Sequence, residues 1–184
     1  MENPGEQIVG EYLKWIKRCD FVSYNTPTQD EQGEIDVIGI NIAEKKVYVC
    51  EVATHMQTGI NYVNPKSKES DNVNRFIKKF SKDIQYAKTR FPSYDKHFML
   101  WTPLVKINKE GSKANQHKDI EDILRSIRSS QGAEIEVVSN RKYYDCIQEL
   151  RAFAKKETKD MKNPIMKFCQ IEEKLKKYMD FHKM

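Results

Sequence analysis

"KVYVCEVAT" (residues 46–54) is an apolar stretch of β-branched and aromatic residues that carries one acid, Glu51. The stretch "EIDVIGIN" (34–41) before it has the same character and also carries an acid, Asp36. Such runs read as strands, and the polar "IAEK" (42–45) between them reads as a tight turn. Two adjacent antiparallel strands follow, each with a carboxylate where apolar residues are the rule. Two residues after Glu51, where strand alternation returns to the same face, stands Ala53.

The neighbouring segments extend this hairpin in both directions. "GEQIVGEYLKWIKR" (5–18) places Ile8, Tyr12, Trp15 and Ile16 on one helical face. "FVSYN" (21–25) is a short strand, and "TPTQDEQG" (26–33) is turn material punctuated by Pro27 and Gly33. Residues 55–70 have no period and read as a loop. A long helix is predicted from about Asp71 to Phe91, with Val73, Phe76, Ile77, Phe80, Ile84 and Ala87 on one face and Ser70 or Asp71 as its cap. A strand at 96–105, a helix at 114–132, a strand at 133–139 and helices at 141–157 and 165–181 complete the chain. The pattern predicts an α/β protein with one mixed sheet and helices packed on it. Residues 1–184 read as a single domain, with a core over about 5–139 and C-terminal helices over about 140–181.

The chain has 184 residues, 32% charged and 39% hydrophobic, enough for one sizeable core. Apolar runs are too short to span a bilayer, so no membrane partner is expected. The first ten residues, "MENPGEQIVG", lack the apolar stretch of a secretory signal. The four cysteines, Cys19, Cys50, Cys146 and Cys169, are scattered without metal-type spacing, which points to a reduced, cytoplasmic protein. A net charge of +5 is compatible with a nucleic-acid partner. There is no glycine-rich phosphate loop, no Cys/His zinc pattern and no nucleophile elbow, which argues against nucleotide hydrolysis and serine-hydrolase chemistry.

A buried acid is costly unless it is paired or binds a metal. Asp36 and Glu51, on neighbouring strands, can converge into a hard oxygen site suited to Mg²⁺ or Mn²⁺. The spacing alone also admits a solvent-facing Asp36 and a salt-bridged Glu51.

"GEQIVGEYL", "GEIDVIGI" and "VYVCEVAT" together resemble the PD-(D/E)xK nuclease superfamily, most closely its small restriction-endonuclease-like and Holliday-junction-resolvase-like members. The resemblance covers residues 5 to about 102. It implies a restriction-endonuclease-like core of helix, three strands, helix and strand, here with a C-terminal helical extension. It implies that Asp36 and Glu51 are catalytic metal ligands, with Glu6 completing or tuning the site and Glu11 as the fallback. The departure is Ala53, which stands where the family carries a lysine that helps position and deprotonate the attacking water and offsets transition-state charge. Three alternatives follow. A lysine arrives from the long helix, where Lys79 lies nearer the apolar face than Lys78 or Lys82. A polar neighbour substitutes, with His55 foremost beside Thr54 and Gln57. Or the chemistry has been lost.

The implied function is a Mg²⁺- or Mn²⁺-dependent endonuclease cutting DNA in restriction, defence or repair, with a catalytically inactive DNA- or protein-binding module as the alternative. The basic stripe of residues 66–83 can track phosphates or be a solvated helix face, and Tyr62, Asn64 and Lys66 are candidates to line a DNA cleft. Trp101 and His97 read as structural. The C-terminal "KLKKYMDFHKM" reads first as a helix packed on the core, with a dimer contact or nucleic acid as alternatives. A homodimer would suit cutting of both strands.

Overall fold

The computed structural model describes residues 3–28, 33–60, 71–106 and 115–181. The element order is α1 (Pro4–Trp15), β1 (Phe21–Pro27), β2 (Glu34–Asn41), β3 (Lys46–Val52), α2 (Asn72–Arg90), β4 (Asp95–Thr102), α3 (Gln116–Gln131), β5 (Ile135–Ser139), α4 (Asn140–Lys156) and α5 (Pro164–Phe181). This is the order expected from the sequence. Tyr62, Asn64, Lys66 and Ser70 lie outside the described residues.

The strands form one five-stranded sheet in the order β1-β2-β3-β4-β5. β1, β2 and β3 run antiparallel, whereas β3, β4 and β5 run parallel. The parallel strands are joined through α2 and α3. Because the chain moves one way across the sheet and such crossovers share a hand, both helices fall on the same face. There Ile38, Val47, Val49, Phe98 and Leu100 meet Phe76, Phe80 and Ile84 of α2 and Ile120, Ile123 and Ile127 of α3. The opposite face is covered by α1, α4 and α5. Tyr12 and Tyr143 set their rings edge-on to Trp101 at centroid distances of 5.2 and 5.7 Å.

Local chemistry fixes the ends of the elements. Asn3 caps α1 in a reciprocal capping box with Glu6, and Pro4 fills the first turn. Arg18, with φ of 55°, turns the chain away soon after α1, so the helix is shorter than the predicted 5–18. Gly132, in the left-handed region at φ 63°, closes α3. Pro27 does not break β1 but ends it, paired with Glu34. β1 is an edge strand, where the missing N–H can face outward. Asp71 occupies the cap position of α2, but its side chain makes no cap bond and instead accepts from Asn74 Nδ2 at 2.9 Å.

The sheet is irregular at one point. The β2–β3 ladder ends at the pair Val37 and Cys50, one step short of Asp36 and Glu51. On the other side, Asn25 faces Asp36 with φ of 47°. Ile35 and Val37 would share a face in a regular strand, yet Ile35 packs on the α2 side and Val37 on the α1 side. The strand turns over at Asp36, as at a bulge, and so re-aims one side chain.

Candidate active site

The break in the ladder is bridged by a side chain. Val52 N–H donates to Asp36 Oδ2 at 2.7 Å, so a carboxylate stands where a backbone carbonyl would serve in a regular pair. Glu51 follows Val47 and Val49 on the α2 face and is 1% exposed. Lys79, one turn beyond Phe76 on α2, donates to Asp36 Oδ1 at 3.3 Å and to Glu51 Oε2. The three residues therefore form one ion-paired group built from two strands and a helix. Ala53 lies on the same face and lines the same cleft, of about 80 Å³, as Glu51, His55, Arg75 and Lys79.

A third acid belongs to this group. Asp83 lies one turn after Lys79 and is 2% exposed. It comes close enough to Glu51 for a carboxyl–carboxyl hydrogen bond once one of the two holds a proton. With both ionised, Asp83 Oδ2 and Glu51 Oε1 are buried without a donor. Sequence reasoning passes over Asp83. The signal was its position, three residues after Phe80 and four before Ala87, on the buried stripe of α2.

The charge balance shows in the proton affinities. Burial, together with the charges of Asp36 and Asp83, holds the Glu51 carboxyl well above the usual carboxylate range, against the pull of Lys79. Burial pushes Asp83 up to about 7, although its contact with Glu51 and the charge of Lys79 act in the opposite direction. For Lys79, burial lowers the ammonium's affinity for its proton, but Glu51 and Asp36 more than offset this and the net shift is upward. Lys79 is thus a fixed cation at neutral pH, not a proton acceptor. Three acids around one ammonium leave an excess of negative charge that burial penalises, which either protons or a further cation can relieve.

The donor set suits one hard divalent cation at Asp36 and Glu51, since Mg²⁺ is commonly held by one or two carboxylates with water. The excess negative charge and the donorless Glu51 Oε1 fit such an ion. Among the described residues, no three His, Cys, Asp or Glu side chains are grouped to share a metal.

The remaining candidates are less central. Glu6 hydrogen-bonds with the backbone N–H and side-chain amide of Asn3 and accepts from Asn25 Nδ2 at 3.4 Å, so its described bonds fix the start of α1 rather than engage Lys79. The spacing Asn3-x-x-Glu6 was a legible capping signal. Glu11 accepts from Trp15 Nε1 at 2.6 Å and lines a different cavity, with Glu157 and Asp160. His55 is exposed at the mouth of the cleft. Thr54 Oγ1 donates to Asn3 Oδ1 at 3.2 Å, while Gln57 is exposed and its carbonyl accepts from Lys106. Lys78 and Lys82 line an adjoining cavity of about 230 Å³ with Arg75, Lys79 and Asp83. His97 stacks on Tyr48 and pairs with Asp95, and Trp101 is wholly buried.

The four cysteines are buried and free, and no described helix is long and apolar enough to cross a membrane. The chain matches no protein-family model, no curated protein and no solved structure.

Proposed function

We propose that the protein is a metal-dependent endonuclease that hydrolyses DNA phosphodiester bonds, built on a restriction-endonuclease-like core and acting in the cytoplasm. The observation that carries this reading is the position of Lys79: its ammonium bridges Asp36 and Glu51 from α2, facing the strand position where Ala53 stands in place of a lysine. The resemblance asks for two strand acids and one cation in a single cleft, and this group supplies them.

Asp36 and Glu51 would hold Mg²⁺ or Mn²⁺, which when bound supplies Lewis acidity and an activated water. Lys79 keeps its charge, so it orients the phosphate and offsets negative charge as that charge builds in the transition state. Asp36 is held in register by Val52 N–H, which fixes one oxygen and leaves the other facing Lys79. Arg75 lines the cleft, Lys78 and Lys82 line the cavity beside it, and the three supply phosphate contacts whose strength falls with salt. Glu6 sets the start of α1 against Thr54, which a side chain on Gly5 would strike.

The test is cleavage of supercoiled, linear, branched and single-stranded DNA with Mg²⁺ or Mn²⁺, beside Asp36→Asn, Glu51→Gln and Lys79→Met. The reading expects cutting by the wild type and a loss of about a hundredfold or more in each variant.

One observation favours a second reading. The acids already hold an internal cation and lack a third metal ligand among the described residues, as in a nuclease fold kept only for binding DNA or a partner protein. A wild type that cuts nothing, yet binds DNA as well as the three variants do, selects that reading.

A further inference from the structure

Nine large apolar side chains are exposed among the described residues, and five of them lie on α5: Phe168, Ile171, Leu175, Tyr178 and Met179. They are not scattered. Phe168, Ile171, Leu175 and Tyr178 follow one another at intervals of three, four and three, which is the seam of a helix pair. The other side of the helix is already used. Met166, Cys169 and Gln170 are buried, and Arg151 of α4 binds Glu172 at 2.8 Å and Glu173 at 3.2 Å. From Lys174 to Met179 every residue is exposed, so the last turns leave the body of the protein.

We propose that this stripe is the interface with a second copy of the same chain, the two α5 helices packing in parallel about a two-fold axis. Size and charge both favour this occupant. Two aromatic and three aliphatic side chains at these exposures present on the order of 500 Å². A stable two-copy interface takes about 600–800 Å² from each partner, and the flanking lysine and glutamate stems supply the remainder. With Phe168 and Leu175 at one seam position and Ile171 and Tyr178 at the other, Lys167 and Lys174 flank one side and Glu172 and Met179 the other. In a parallel pair, Lys167 comes beside Glu172 of the second copy; both side chains stay partly exposed while bonded within their own chain, Lys167 to Asp160 at 2.8 Å and Glu172 to Arg151. An antiparallel pair would set Lys167 against Lys174 and is disfavoured. A dimer carries two copies of the Asp36–Glu51–Lys79 cleft, although the association does not depend on what that cleft does.

The test is the mass of the full chain by sedimentation velocity and light scattering across a concentration series. The wild type is expected at twice the chain mass. Leu175→Asp is expected to be a monomer, with at least about tenfold weaker association. Near-native circular dichroism and a cooperative melt, shifted down only by the lost association, would show that the fold is intact, because the site is 56% exposed. Tyr178→Cys should cross-link copy to copy on mild oxidation, since equivalent seam residues meet only in the parallel arrangement. A monomeric wild type, a dimer indifferent to Leu175→Asp, or a dimer in which Tyr178→Cys does not cross-link would each overturn the proposal.

Discussion

The two faces of the sheet are packed by different rules. On the α1/α4/α5 side, Tyr12, Cys50, Met99, Trp101 and Leu150 close a largely apolar layer. On the α2/α3 side the same strands are equally apolar until β2 and β3 reach Asp36 and Glu51, where the layer gives way to Lys79 and Asp83. α2 serves both purposes. Phe76, Phe80, Ile84 and Ala87 anchor it, while Lys79 and Asp83 share its buried flank. Rigid apolar packing thus positions charges that would not assemble by attraction alone, because desolvation cancels much of what ion pairing contributes.

The contrast can be broken most severely at Trp101. Trp101→Ala should cost about 3–5 kcal/mol in denaturant unfolding and leave any surviving activity proportional to the folded fraction. Lys79→Met is the corresponding lesion on the other face. It leaves three acids without their cation and should cost about 2–4 kcal/mol at neutral pH, below the full buried-pair figure because Lys79 is 32% exposed. The loss should shrink at pH 5, where Glu51 and Asp83 hold protons. If Lys79 does the work of the strand lysine, adding Ala53→Lys to Lys79→Met should recover at least about a tenth of the lost cleavage; no recovery would count against that equivalence.

A third test concerns protons. Asp83 binds its proton more tightly in the folded chain, up to about 7 against an ordinary 3.8, so the native state holds more protons across that window. Stability therefore falls as pH rises through it, the reverse of an ion-paired carboxylate, and Glu51 acts with the same sign. Asp83→Asn should flatten the slope of melting temperature against pH by a few degrees between about pH 4 and pH 7. An unchanged slope would show that Asp83 titrates as an ordinary acid. The smallest effect is expected at His55, exposed at the cleft mouth: if the proposed cleavage holds, His55→Ala should slow it by no more than about tenfold.

Much of this architecture is written in hydrophobic period. The hairpin around "IAEK", the apolar stripe of α2 and the order of the strands follow from local pattern. Lys79 was within reach because it borders that stripe. Asp83 is harder to read, because an acid on a lysine-rich helix looks like a solvated residue, although its spacing from Phe80 and Ala87 places it inside. Glu6 reads as a site residue because it is an acid upstream of Tyr12, and its described bonds close the capping box with Asn3. The turnover of β2 at Asp36 was not legible, because it depends on Asn25 taking a left-handed conformation on another strand.

Lys79 also bears on the order in which the chain assembles. Asp36 and Glu51 meet across a hairpin closed by residues 42–45, a short loop that forms early. Their counter-ion lies 28 residues beyond Glu51 and docks only with the parallel crossover. Until then the nascent hairpin carries two neighbouring negative charges that attract the lysine-rich α2. Refolding should accordingly slow as salt is added, and the salt effect should vanish in Lys79→Met if that lysine guides the docking.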